Sequence, residues 1–303
     1  MHEYYFANYR LLTDDGIANH KSTKRLDFFS APMPYTHTFT LRLGDAGELE
    51  EKRTWALNCP VAYETEYFTI HDMGAGWAFV NTHADELRLA EGARNVVLAS
   101  RDYGKLTVWV TERFFDIERN GHVLHTQASI PLSSSIRAAC EAGMVLRDGL
   151  PLHASLVEKD GFGVIFLGPS GMGKSTQAKL WEKYLDADFI IGDRPGLRKI
   201  DGKWVSFGMP WDGKDGIHRQ TSVPVRALLW LEQAMENRIA RMSTIEAMAV
   251  MLKQAMMPVW DDAAMDGASA LMGAVAEELP LFHLRCRPDE AAARLTYETI
   301  YKG

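Results

Sequence analysis

Short apolar and aromatic segments alternate with polar turn residues from Met1 to about Gln127, as in Phe39-Thr40-Leu41-Arg42-Leu43, Tyr67-Phe68-Thr69-Ile70, Trp77-Ala78-Phe79-Val80 and Leu106-Thr107-Val108-Trp109-Val110. Successive side chains of a strand point to opposite faces, so these segments predict a strand-rich region. Between Pro131 and Asp148 the period changes. Leu132, Ile136, Ala139, Cys140 and Met144 recur at helical spacing and predict one helix that closes near Gly149. The change of period puts a domain join around residues 126 to 131. It separates a strand-rich α+β N-terminal domain over 1–127 from a second domain over 128–303.

The second domain reads as strand Leu152 to Glu158, a turn at Asp160-Gly161, strand Gly163 to Leu167, a glycine-rich loop, and a helix through Thr176-Gln177-Ala178-Lys179-Leu180-Trp181. A strand from Asp188 to Ile191 ends at Gly192-Asp193, and a hairpin turns through Asp201-Gly202. Strands at Val225 to Glu232 and Arg238 to Met242 precede helices at Thr244 to Met257 and Asp261 to Glu278. Strand Leu281 to Cys286 and a helix starting near Pro288 close the chain. Strands interleaved with helices in this way predict an α/β fold. Met248, Met251, Met256 and Met257 fall at helical spacing and read as gap-filling core. No repeat, low-complexity tract or heptad run interrupts the pattern.

The loop is the richest chemical signal. Gly168-Pro169-Ser170-Gly171-Met172-Gly173-Lys174-Ser175 matches the phosphate-binding P-loop pattern and lies between a predicted strand and a predicted helix. Its glycines let backbone N–H groups converge on phosphate oxygens, and the helix aims its partly positive end at the same place. Gly168, Ser170, Gly171, Met172, Gly173, Lys174, Ser175 and Thr176 are therefore the expected ATP contacts. Lys174 is expected to reach the β- and γ-phosphates, and the Ser175 hydroxyl to hold Mg²⁺. A phosphotransferase also needs a carboxylate near the transferring group, and Asp193, at the end of an apolar strand, fits that role as metal ligand or base. Arg194, Lys214 and Arg219, around the loop Pro210 to Gly216, suit contact with phosphate or substrate, and suit an exposed turn equally well. His153, read from its setting alone, is a structural histidine more readily than a catalyst.

Taken together, His153-Ala154-Ser155, the run Gly168 to Thr176, Gly192-Asp193-Arg194 and Gly208-Met209-Pro210-Trp211 resemble the HPr kinase/phosphorylase-related family over residues 150 to 220. The resemblance implies an α/β P-loop core of the HPr kinase C-terminal type, related to that of ATP-dependent phosphoenolpyruvate carboxykinase. It also implies a site role for His153 and a homo-oligomer. The chain departs from the family's pattern at Gly192, where an acidic pair is usual, and at Thr176, where Glu is usual. It also lacks a copy of the C-terminal signature, so neither HPr as acceptor nor the reverse reaction follows.

Composition narrows the partners. The formal charge is −7 and no block of Lys and Arg is long enough to follow a nucleic-acid backbone. The start of the chain lacks a signal-peptide pattern and no apolar run reaches membrane-span length, which reads as a cytoplasmic protein with neither nucleic-acid nor membrane partner. Cys59, Cys140 and Cys286 have no CxxC spacing and are expected as buried thiols. Trp55, Tyr63, Tyr67 and Trp77 suit a peptide-binding face or, more commonly, an inward-packed one. The function expected is a Mg²⁺-dependent kinase that transfers the γ-phosphoryl of ATP to a hydroxyl of a peptide, a protein or a small molecule. The alternative is a non-catalytic ATP-binding regulatory or scaffolding protein.

Overall fold

The computed structural model describes residues 1–18, 26–81, 94–110, 118–119, 122–123, 129–211 and 216–302. They fall into two compact units, Met1–Gly143 with Pro258–Asp262, and Met144–Met257 with Ala263–Gly303. The join expected around 126 to 131 lies partly outside the described residues. The first unit closes at Gly143, within a helix rather than ahead of it.

In the first unit, β1 (His2–Phe6) and β2 (Tyr9–Thr13) lead through α1 (Asp15–Ala18) to β3 (His37–Leu43), α2 (Leu49–Leu57), β4 (Val61–Glu64), β5 (Thr69–Asp72), β6 (Gly76–Val80), β7 (Asn95–Ser100) and β8 (Lys105–Val110). These strands form one sheet in the order β1-β2-β3-β8-β7-β6-β5-β4. Pairing is parallel between β2 and β3 and between β3 and β8, and antiparallel elsewhere. A two-residue pair, β9 (Glu118–Arg119) and β10 (His122–Val123), precedes α3 (Ser129–Val145).

All five residues of β6 are buried, which places Trp77 and Phe79 inside. Tyr67 and Phe68 were expected in a strand but form a turn instead. The Thr65 hydroxyl accepts from both of their amides, and this local capping wins over extension of β5. The segment Pro258–Asp262 joins this unit through a polar and aromatic anchor. Trp260 Nε1 donates to Tyr103 Oη, which donates to Asp261 Oδ2, and the Trp260 ring meets those of Tyr63 and Phe79.

The second unit contains β11 (Gly149–Pro151), β12 (Ala154–Lys159), β13 (Phe162–Leu167), α4 (Lys174–Leu185), β14 (Asp188–Ile191), β15 (Gly196–Ile200), β16 (Lys203–Phe207), β17 (Ser222–Gln233), β18 (Arg238–Arg241), α5 (Thr244–Gln254), α6 (Asp262–Glu278), β19 (Leu281–Cys286) and α7 (Glu290–Tyr301). It is an α/β unit. The long strand β17 pairs with β13 along one edge. Along the other it pairs with β16 at its start and β19 at its end, so the sheet forks there. β13, β17 and β19 are parallel, whereas β12 runs against both β13 and β14. That polarity brings the C-terminal ends of β13, β14, β17 and β19 and the N-terminal end of β12 to one edge of the sheet.

Val164 to Leu167 are fully buried, as expected for a strand covered on both faces. α4 lies over the sheet through Trp181, whose indole meets the Phe166 ring edge-on at 5.8 Å and packs with Phe189, Ala292 and Ala293. α5 stops at Gln254, short of the expected Met257. Ala255 turns extended and bridges Leu152, and the Met256 amide donates to Pro151 O at 3.0 Å. Leu152 is thereby taken out of β12. α7 starts two residues after Pro288, where the Asp289 carboxylate accepts from the Ala292 amide as its N-cap. Met251 is core as expected, and Cys140 and Cys286 are buried thiols, but Cys59 is only partly covered. Among the described residues no helix is long and apolar enough to cross a membrane.

Truncating Trp181 to Ala should destabilise this unit by about 3–5 kcal/mol in a urea unfolding titration. Ile245→Ala, at a side chain 83% exposed, should stay within about 0.5 kcal/mol of wild type.

Candidate phosphate site at the sheet edge

β13 delivers the chain into the loop at Gly168. Gly171 and Gly173 adopt φ of 79° and 103°, in the left-handed region that favours glycine. A Cβ at Gly171 would meet nothing within 4 Å, so the constraint there is conformational and not one of space. Gly173 is the N-cap of α4 and supplies no side-chain cap, which leaves the helix start without a protein acceptor from its own cap residue. Ser170, Gly171 and Thr176 are exposed, whereas Met172, Gly173 and Ser175 are half-buried.

Lys174 is the exception, at 8% exposure. Its ammonium donates to Gly168 O at 2.8 Å and Pro169 O at 3.2 Å, and lies 3.3 Å from His153 Nε2. The side chain thus folds back along its own loop. His153, between β11 and β12, is held by its amide, which donates to Gln254 O at 2.7 Å. His153 Nε2 lies 3.9 Å from Asp193 Oδ1. Asp193 follows β14 and is placed by the Ser155 hydroxyl, which donates to the preceding carbonyl of Gly192 at 2.9 Å. Asp193 Oδ1 is buried and has no hydrogen-bond partner among the described residues.

Burial lowers the pKa of Lys174 from its ordinary value, with the Asp193 carboxylate opposing the shift. Burial likewise lowers that of His153, helped by the Lys174 and Arg194 cations and opposed by Asp193. Arg194 has φ of 60° although it is not glycine, a strained turn that sets its guanidinium beside Asp193, with Nε 3.8 Å from Oδ2. Its Nη1 donates to Met256 Sδ.

The structure therefore brings together Lys174, His153, Asp193 and Arg194 at the mouth of the loop. It does not bring Arg219 there. That guanidinium pairs with Asp188 at the opposite end of β14, at 2.5 Å. Lys214 lies outside the described residues. Sequence reasoning missed Gln254, which is 4% exposed and accepts from the Gly168 amide at 3.4 Å while its carbonyl holds His153. Its position at the end of a helical pattern carried no sign of that role. Also missed was a cavity of about 670 Å³ on the β17 and β19 side of the loop, walled by Met172, Gln177, Gln233, Met235, Arg287 and Pro288 among others.

The residues present fit a nucleotide and a divalent cation in part. Among the described residues no group of three His, Cys, Asp or Glu is placed to hold a metal. Mg²⁺ commonly takes one or two protein oxygens, with phosphate and water completing its shell, and Ser175 with the unpartnered Asp193 oxygen matches that demand.

A family model described as the SynChlorMet cassette protein ScmC matches residues 137–273, under half of the chain. No curated protein matches the sequence. A solved structure of the Hpr(Ser) kinase/phosphatase from Coxiella burnetii aligns at 10% identity with a TM-score of 0.30, covering 50% of this chain and 99% of that one. A superposition that loose assigns neither the fold nor the function of this chain.

The pKa directions give a pH test. A histidine whose folded pKa lies below its ordinary value binds its proton less tightly in the folded state than in the unfolded one, so its contribution is favourable above pH 6.5 and is lost as pH falls through the lowered value. In an NMR titration the His153 ring should titrate below 6.5, and Lys174→Met should move that midpoint upward. An unmoved midpoint would show that the ammonium does not act on the ring.

Proposed function

We propose that this protein is a Mg²⁺-dependent phosphotransferase that moves the γ-phosphoryl of ATP to a hydroxyl group of a peptide, a protein or a small molecule. One observation carries the reading. A buried carboxylate oxygen of Asp193 has no hydrogen-bond partner among the described residues, and it sits 3.9 Å from His153 Nε2 at the mouth of a P-loop whose lysine is buried beside it. An unpaired buried acceptor is costly, so a group that enters the site with a proton to give or a positive charge has a place prepared. The motif resemblance of residues 150 to 220 to the HPr kinase/phosphorylase-related family supports the same reading.

In this scheme the loop amides and the start of α4 receive the phosphates, and Lys174 leaves the carbonyls of Gly168 and Pro169 to neutralise charge on the transferring group. Mg²⁺, when bound, would spread the phosphate charge, with Ser175 and Asp193 as its protein ligands. The acceptor oxygen forms a bond to the γ-phosphorus as the bond from that phosphorus to the β,γ-bridging oxygen breaks. The hydroxyl proton passes to the Asp193 carboxylate, and ADP leaves with the bridging oxygen. The lowered pKa of His153, caused first by burial, favours its uncharged form, in which the ring can accept a hydrogen bond from the acceptor or from Lys174 without adding a competing positive charge. Arg194 lines the acceptor side and suits a negatively charged substrate or transition state.

A second reading has its own support. Gly192 offers no second carboxylate, and the loop's own carbonyls already occupy the Lys174 ammonium. Both features suit a protein that binds ATP and does not turn it over.

Two substitutions separate the readings. Asp193→Asn should lower kcat by about 10²–10⁴-fold while ATP still raises the melting temperature. Lys174→Ala should remove both the transfer and the thermal response to ATP. Full phosphoryl transfer in Asp193→Asn would refute the assignment, and ATP-dependent stabilisation with no transfer to any hydroxyl in wild type would favour the binding protein.

A further inference from the structure

The two flanks of the P-loop differ in chemistry. Toward β12 and β14 the neighbours are charged or polar: His153, Asp193, Arg194 and the Lys174 ammonium, linked by separations of 3.3 to 3.9 Å at the mouth of the loop. Toward β17 and β19 lies the cavity of about 670 Å³, within the range of small-molecule sites. It is continuous with the loop, because Gly171, Met172, Gly173 and Thr176 line it from the loop and from the first turn of α4. A ligand with one end in the phosphate cradle and a flat, largely apolar group at the other has room for that group on this flank.

The walls suit an aromatic heterocycle. Met172 and Met235 contribute thioethers, which make favourable contacts with aromatic rings, and Pro288 and Ala234 add apolar surface. Met235 is 85% exposed, so its thioether is accessible to a ring in the cavity. The Arg287 guanidinium is steadied by Asp289, with Nη2 2.9 Å from Oδ2, and its plane is available for stacking. The walls are also tied to the loop and to each other. Gln233 Nε2 donates to Gly171 O at 3.3 Å, and the Ala234 amide donates to Cys286 O at 3.1 Å.

Gln177 adds polarity at the floor. Its Nε2 donates to Cys286 Sγ and to Arg287 O, each at 3.2 Å, which fixes the amide's orientation. Its Oε1 is left buried without a hydrogen-bond partner among the described residues.

We infer that this cavity is the nucleobase subsite of the phosphoryl donor, so that the protein takes a nucleoside triphosphate and not a bare polyphosphate, with the acceptor approaching from the His153 and Asp193 flank. The inference rests on the donor site of the phosphotransferase reading, and it assigns a specificity role to Met235 and Arg287 that the P-loop motif does not contain.

Calorimetric titrations of Mg·ATP and of Mg·tripolyphosphate into wild type, Met235→Ala and Lys174→Ala test it. ATP should bind wild type at least about tenfold more tightly than tripolyphosphate, the combined worth of ring contacts of this kind. Met235→Ala should weaken ATP several-fold and leave tripolyphosphate unchanged, and Lys174→Ala should weaken both. Equal affinities for ATP and tripolyphosphate, lost together in Lys174→Ala, would overturn the base subsite while the P-loop reading stands. No Lys174-dependent binding of either probe would overturn that reading and the subsite with it. Photolabelling with 8-azido-ATP gives an independent readout: modification within residues 233–237 or 286–288 supports the assignment, and modification confined to other segments overturns it.

Discussion

A buried ammonium organises the functional end of the second unit. Lys174 is 8% exposed, and a desolvated positive charge needs acceptors and a compensating negative group close by. The carbonyls of Gly168 and Pro169 supply the first and Asp193 the second. Between those carbonyls and the start of α4 the loop passes through Gly171 and Gly173, whose left-handed φ favours glycine, and the Met172 amide closes the turn on Pro169 O at 3.2 Å. Burial lowers the pKa of His153, and the Lys174 charge and Arg194 push it in the same direction, so loop shape and histidine protonation are linked.

Strand polarity makes the arrangement possible. Because β12 runs against β13 and β14, the residue before β12 and the residues after β13 and β14 arrive at the same edge. His153, Gly168 and Asp193 are far apart in the chain, yet neighbouring strand ends seat them together. Two hydrogen bonds then lock the positions: Ser155 Oγ to Gly192 O, and Gly168 N to Gln254 Oε1. The parallel run of β17 and β19 brings a further pair of strand ends to the other flank of the loop, where the walls change from charged to apolar. In the proposed reaction this separation would place the donor on one side of the P-loop and the acceptor on the other.

Much of this was legible in the sequence because local signals and tertiary structure agree. Asp188 to Ile191 and Leu281 to Cys286 are apolar runs bounded by turn residues, and each forms the strand that its pattern predicts. The P-loop spacing carries its own backbone geometry. Some readings failed because a tertiary contact overruled local preference, and others because the local signal was weak or a side-chain cap redirected the backbone. α5 ends early because Ala255 bridges Leu152, and nothing within the Met-rich helical pattern announces a partner a hundred residues away. α2 escaped notice because only Leu49 and Ala56 of its nine residues are buried, too few to print a helical stripe. Arg219 was grouped with the site on sequence proximity to a Gly-containing loop, but its charge is satisfied by Asp188. Gln254 and the β17–β19 cavity were invisible for a related reason, since strand order decides which loops meet and a single sequence does not state strand order.

A crystal structure with Mg²⁺ and a non-hydrolysable ATP analogue would test the central claim most directly. The account predicts the phosphates within the loop 168–175, the Lys174 ammonium moved from the carbonyls of Gly168 and Pro169 onto phosphate oxygen, and the γ-phosphate facing Asp193. A complex in which the analogue binds elsewhere, or in which Lys174 keeps its contacts with the loop carbonyls, would contradict it.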